Sequence, residues 1–170
     1  MAKRLFHATN WTPTAIGDTS AMANSTYMGL KGGTTTQLIN LLEVLINGIA
    51  TTSAPTLLQV AFSSTIETTP AALVAPNSDG PMHPSTAALA APPVTFTLSA
   101  AGPQRSALTS LGRLELGFNA FGGIMKWNPY TPDMALSILG NAASGGEVTL
   151  SAFTGGTVGA VSAHMIYEPL

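Results

Sequence analysis

The segment Thr36–Pro55, TQLINLLEVLINGIATTSAP, decides the fold. Its polar residues Gln37, Asn40, Glu43 and Asn47 recur at spacings of three and four, the pattern of one face of an amphipathic helix. The same residues also read as a strand. Leu42, Val44 and Ile46 alternate with Glu43 and Leu45, which gives one mostly apolar face. Threonines 34–36 precede the segment and the turn pair Asn47-Gly48 falls near its end, so its surroundings favour extended chain. The segment is therefore read as a strand, and the chain as all-β.

The flanking sequence repeats this pattern more plainly. TLLQVAFSS, from Thr56, places Leu58, Val60 and Phe62 on one face, and PVTFTLS, from Pro93, places Val94, Phe96 and Leu98 together. Leu114, Leu116 and Phe118 oppose Arg113, Glu115 and Asn119; after Gly122-Gly123 the short run Ile124–Trp127 predicts the second arm of a hairpin. Met134, Leu136 and Ile138 alternate, as do Val148, Leu150 and Ala152, then Val161, Ala163, Met165 and Tyr167. About eight short strands with Gly, Pro and Asn between them predict a single β-sandwich or jelly-roll-like barrel. A Greek-key sandwich of another strand order fits the same pattern.

Two regions break the alternation. Residues 1–33 mix turn formers with isolated apolar residues and read as an extended N-terminal arm ahead of a domain at 34–170, with a first strand hidden among turns as the alternative. Residues 69–93 carry prolines at 70, 76, 81, 84, 92 and 93 among small residues, which excludes a central strand or helix interior. They read as a Pro/Ala-rich surface loop that packs on a neighbouring subunit.

Composition narrows the function. The chain has 170 residues, enough for one core without staples, and no cysteine, so disulfides and thiolate metal sites are excluded. Only 8% of residues are charged, against about 25% in an ordinary soluble domain. With a net charge of −2, no basic footprint for nucleic acid or an anionic membrane is present. Mean hydropathy is +0.31, yet the longest apolar run, Leu38–Ile49, is interrupted by Asn40, Glu43 and Asn47 and falls short of the roughly 20 residues of a spanning helix. Lys3 and Arg4 are followed by no apolar stretch of the kind a secretory signal needs.

Catalytic signatures are not visible in this sequence. His7, His83 and His164 stand far apart with no metal-ligand spacing, and the eight carboxylates are scattered singly. Glu115, Glu147 and Glu168 are expected to balance Arg113, Arg105 or Lys126. No GxSxG elbow occurs, and none of the Gly pairs continues into a phosphate-binding GK[ST]. Asn24-Ser25-Thr26 matches a glycosylation acceptor, a match without meaning in a chain that shows no secretory signal. The expectation is a non-enzyme with no cofactor and no metal. Aromatic residues offer a stacking platform for a sugar as the competing use, although Trp127 and Tyr167 also suit a core.

Four stretches, TQLINLLEVLINGIATTSAP, GPQRSALTSLGRLELGFNAFGGIMKW (from Gly102), LGNAASGGEVTLSAFTGG (from Leu139) and AHMIYEP (from Ala163), resemble small β-rich virion structural proteins of tailed bacteriophages. The resemblance covers most of the chain from about Gly32 onward and rests on strand and turn patterns. It implies a capsid decoration or cement-like protein on the virion surface. Its partners would be the major capsid protein lattice and copies of itself, with a trimer favoured, and neither nucleic acid nor membrane. Trp11, Tyr27, Pro81, Pro84, Trp127 and Tyr130 are the contact candidates under this reading. A receptor- or carbohydrate-binding module of a tail or fibre is the alternative. The last stretch, Gly146–Leu170, fits assembly: it reads as two strands joined at Thr154-Gly155-Gly156, with small residues outward where a free monomer usually carries Lys and Glu.

Overall fold

A computed structural model describes residues 4–10, 26–62, 71–73, 80–82, 94–97, 113–140, 146–153 and 160–170. Among them the chain forms β1 (Phe6–Asn10), β2 (Thr26–Lys31), β3 (Leu38–Gly48), β4 (Pro55–Phe62), β5 (Ala71–Ala72) and β6 (Gly80–Pro81). β7 (Val94–Thr97), β8 (Arg113–Asn119), β9 (Ile124–Trp127), β10 (Leu136–Leu139), β11 (Glu147–Phe153) and β12 (Val161–Pro169) follow. These build two antiparallel sheets. One runs β10-β3-β12-β1-β6 with β9 also on β3, and the other runs β5-β7-β2-β11-β4-β8. Their inward residues meet in one buried cluster, which includes Ala8, Met165 and Tyr167 from the first sheet and Met28, Leu58 and Val148 from the second.

The deciding segment is a strand, and its helix-like spacing has a cause. Ile39, Leu41, Val44 and Ile46 are buried, while Leu42 and Glu43 between them are both half-buried. Along β12, Ile166 faces Glu43 and Tyr167 faces Leu41, so Leu42 is an extra residue without an opposite number. This β-bulge resets the period by one. It puts Asn40, Glu43 and Asn47 at spacings of three and four inside a two-residue repeat. It also corrects the expected face: Leu42 does not share the side of Val44 and Ile46.

A second irregularity lies on β2. Leu150 faces Met28 and Ser151 faces Thr26, so Tyr27 is skipped, and both Tyr27 and Met28 enter the core. Burial pushes the Tyr27 phenol up. Asn10 on β1 donates from Nδ2 to the Tyr27 carbonyl at 2.8 Å, which ties the two sheets together. On the same inward face of the first sheet, Phe6 stacks on Tyr167 directly opposite it, with ring centroids 6.0 Å apart.

Several expectations are corrected. Residues 6–10 and 26–31, inside the expected arm, are strands paired with β12 and β11; residues 11–25 lie outside the described residues. The alternation missed β2 because it is buried on both faces and has no period to show, and it missed β1 because that strand is only five residues long and turns a polar residue, Asn10, inward. β8 and β9 are not a hairpin: β8 pairs with β4 in one sheet and β9 with β3 in the other. Likewise β11 and β12 belong to different sheets and are interior strands. The polar residues Glu147, Thr149 and Ser151 of β11, expected to face outward, are buried. Met134 is exposed in a 3-10 turn, Pro132–Met134, whereas Ile138 is buried as expected. Of the loop at 69–93, Ala71–Ala72 adds to β7 and Gly80–Pro81 adds to β1, while most of the rest lies outside the described residues.

The crossing from β8 to β9 is held by backbone and by one side chain. The Asn119 Oδ1 accepts from the Ala54 N–H at 3.1 Å and the Phe121 N–H at 3.0 Å, and its Nδ2 donates to Ser53 Oγ. Gly48 N–H donates to the Gly123 carbonyl and Ala50 N–H to the Ala120 carbonyl. Gly122 supplies the positive φ, 70°, that the corner needs.

Candidate functional site

β9 and β10 share one edge of the first sheet. β10 pairs with Leu38–Leu41 and β9 with Val44–Asn47, so the break between them falls opposite the Leu42–Glu43 bulge. At the break the chain leaves the sheet through Asn128, Pro129, Tyr130 and Thr131 and returns through the 3-10 turn, where Met134 N–H donates to the Thr131 carbonyl at 2.9 Å. Two prolines in that excursion prevent a continuous strand.

This stretch gathers exposed apolar side chains. Phe121, Ile124, Tyr130, Met134 and Leu139 all belong to it, with Ile124 76% and Tyr130 93% exposed. Leu170 extends the strip at one end, since its N–H donates to the Leu38 carbonyl and Leu38 faces Leu139. Ile49 extends it at the other, beside the Ala50–Ala120 bond. Met125 and Trp127 alternate inward and pack on the core, while Ile124 and Lys126 point outward. Lys126 Nζ lies 2.7 Å from Glu43 Oε2, so Lys126 is balanced by a residue of β3 and not by the glutamates expected from the sequence.

The outer face of the same sheet carries a second constellation. His7 on β1 and His164 on β12 are diagonal neighbours, with rings stacked 5.5 Å apart at 27°. The Thr9 Oγ1 is 2.7 Å from His164 Nδ1, and His7 Nδ1 is buried without a hydrogen-bond partner. Burial holds the His164 imidazole below its ordinary range; His7 pushes the same way and Glu43 opposes them. Among the described residues no group of three or more His, Cys, Asp or Glu is placed to hold a metal ion. No helix among them is long and apolar enough to cross a membrane.

Of the contact candidates, Tyr130 is exposed on the β9–β10 edge, whereas Trp127, on β9, is half-buried and packs inward on the core. Pro81 is exposed on β6 at the opposite edge of that sheet. Tyr27 is fully buried, which removes it from any contact surface. Trp11 and Pro84 lie outside the described residues. Sequence reasoning missed Phe121, Ile124, Met134 and Leu139, because alternation says which residues share a face but not which strand is left at an edge. It also missed the histidine pair, whose members stand at opposite ends of the chain. Comparison with protein-family models, with curated proteins and with solved structures finds no match.

Proposed function

We propose that the chain is a non-enzymatic virion structural protein, a decoration or cement-like subunit on the capsid surface of a tailed bacteriophage. It stabilises the head through contacts with the major capsid protein lattice and with copies of itself, a trimer being the favoured closed form. The observation that carries this reading is the apolar strip along residues 121–139. Burying one Ile or aromatic side chain is worth about 1.5–3 kcal/mol, so a row of them on one edge is a contact surface in waiting. With 8% charged residues, few charges need to lose water when such surfaces meet. Many modest contacts become strong when a lattice presents them together.

The strand order supports a jelly-roll reading of the two sheets. β1, β12, β3 and the split β9/β10 follow one another in one sheet, and β2, β11, β4 and β8 in the other; β5–β7, which lie between β4 and β8 in the chain, add to the outer edges, β5 and β7 beside β2 and β6 beside β1. Viral capsid and lectin domains both use that architecture, so it favours the virion reading and the carbohydrate-binding alternative equally.

The test is molar mass by light scattering after size exclusion, at low and high salt. The expected result is a salt-resistant oligomer of three or more 17.3 kDa chains, because apolar contacts are not screened. Ile124→Lys with Tyr130→Lys is expected to weaken that assembly by at least about a hundredfold, from the loss of two buried apolar side chains. A monomer at all concentrations, unchanged by the two substitutions, would overturn self-assembly and favour the binding module.

A further inference from the structure

We propose that the stacked imidazoles of His7 and His164 form an acid-sensitive latch that holds the N-terminal strand β1 on β12, and that protonation of the pair releases this strand. The geometry is specific. β1 is five residues long; it pairs along its whole length with β12 but over only two residues with β6. The bond between β1 and the rest of its sheet is therefore chiefly the β1–β12 ladder. The two rings lie across that ladder, 5.5 Å apart, one from each strand. Stacked neutral imidazoles attract weakly, whereas two imidazolium rings at that distance repel.

Burial favours the neutral state of His164. The bond between Thr9 Oγ1 and His164 Nδ1 also spans the ladder, the hydroxyl serving the ring nitrogen as donor or acceptor, and His7 Nδ1 is buried without a hydrogen-bond partner. The charged groups facing the pair from the adjoining strands are Glu43 on β3 and Lys126 on β9, and these two are paired with each other. On the other side, β6 contributes Gly80 and Pro81, neither of which titrates. On β12 itself Glu168 lies on the same face two residues past Ile166, the partner of His7, while Glu43, the carboxylate that acts on His164, is already bonded to an ammonium.

The direction with pH follows. His164 titrates lower in the folded protein than in the unfolded chain, so the folded state holds fewer protons in that range. Its contribution is complete above the ordinary imidazole range and is lost as pH falls through that range toward the lower folded value. The loss falls first on β1, because the core under it consists only of Phe6, Ala8 and Asn10, whereas β12 is also held along its whole length by β3.

Hydrogen exchange of the full chain, read by mass spectrometry at about pH 7.5 and about pH 5 and corrected for intrinsic rates, tests this. The amides of β4, in the other sheet and away from both histidines, serve as the internal reference. The expected result is that β1 amides exchange about tenfold faster at the lower pH while those of β4 do not. In His164→Gln, which keeps a side chain able to bond Thr9 but takes no proton, that difference is expected to vanish. His7→Gln is expected to reduce it, and serves as the deciding variant should His164→Gln fold poorly. Equal changes in β1 and β4, or an acid-specific acceleration of β1 that persists in the glutamine variants, would overturn the latch.

Discussion

Gly48→Val is expected to abolish cooperative folding, or to lower the melting temperature so far that the protein is largely unfolded at 37 °C. Gly48 ends β3 where that strand meets the corner from the other sheet. Its N–H donates to the Gly123 carbonyl at 2.7 Å, and any Cβ at this position would overlap the backbone of Ala120. The obstacle is main chain, which cannot rotate aside as a flexible side chain can. Ala120 is itself fully buried and its N–H donates to the Ala54 carbonyl, so moving it disturbs β4 as well. A forced separation here also breaks the Ala50–Ala120 bond, and the combined cost is about 4 kcal/mol or more, against a total stability of about 5–15 kcal/mol for a domain. Gly117→Ala provides the contrast. Gly117 lies on β8 with nothing near its would-be Cβ, and its replacement is expected to shift stability by no more than about 0.5 kcal/mol. Thermal unfolding followed by far-ultraviolet circular dichroism separates the two. Equal melting temperatures for both variants would mean that the corner is not held against β3 as described.

Much of the strand content was legible because one buried face leaves a period of two. Leu58 and Val60, then Val161, Ala163, Met165 and Tyr167, lie inward as their spacing requires. Three kinds of information were not legible. Where both faces are covered, as at β2 and the first residues of β11, polar residues such as Thr149 and Glu147 mimic a solvent face although they are buried. Where a bulge adds a residue, as at Leu42, the period changes phase inside one strand and imitates a helix. Pairing between distant strands leaves no local trace. Nothing near Ile124–Trp127 shows that its partner is Val44–Asn47 and not the strand just before it, because the choice is made by the Gly48–Gly123 and Ala50–Ala120 bonds.

The candidate surface was half legible for the same reason. Tyr130 stands between Pro129 and Pro132, a context that argues for a loop and hence for exposure, and it is exposed. Tyr27 sits among turn formers in much the same way and is buried, because the bulge on β2 turns it inward beside Met28. The charge-poor C-terminal stretch suggested an unguarded surface there, yet its strands are interior. The unguarded edge is formed instead by the two short strands at 124–127 and 136–139.

The bulge itself gives the second large effect, through a pair of single-residue deletions in β3. Removing Leu42 joins Leu41 directly to Glu43. These residues already face consecutive positions of β12, Tyr167 and Ile166, so Ile39, Leu41, Val44 and Ile46 all keep their inward side. On the other edge the deletion shortens only the gap between the β10 and β9 pairings, where residues 128–135 have left the sheet and can adjust. The expected cost is about 1–2 kcal/mol, with the fold retained. Removing Leu45 instead leaves the bulge in place and reverses everything after it. Ile46 turns to solvent and Asn47 turns into the core, and the Asn47–Ser162 bond across to β12 is lost. Exposing a buried Ile side chain costs about 2–5 kcal/mol and burying an unpaired amide adds about 1–3 kcal/mol, enough to unfold a domain of ordinary stability. Urea unfolding of the two deletion variants measures this difference. Should the deletion at 42 prove as damaging as the deletion at 45, Leu42 would not be the residue that corrects the phase of this strand, and the helix-like spacing of Asn40, Glu43 and Asn47 would need another cause.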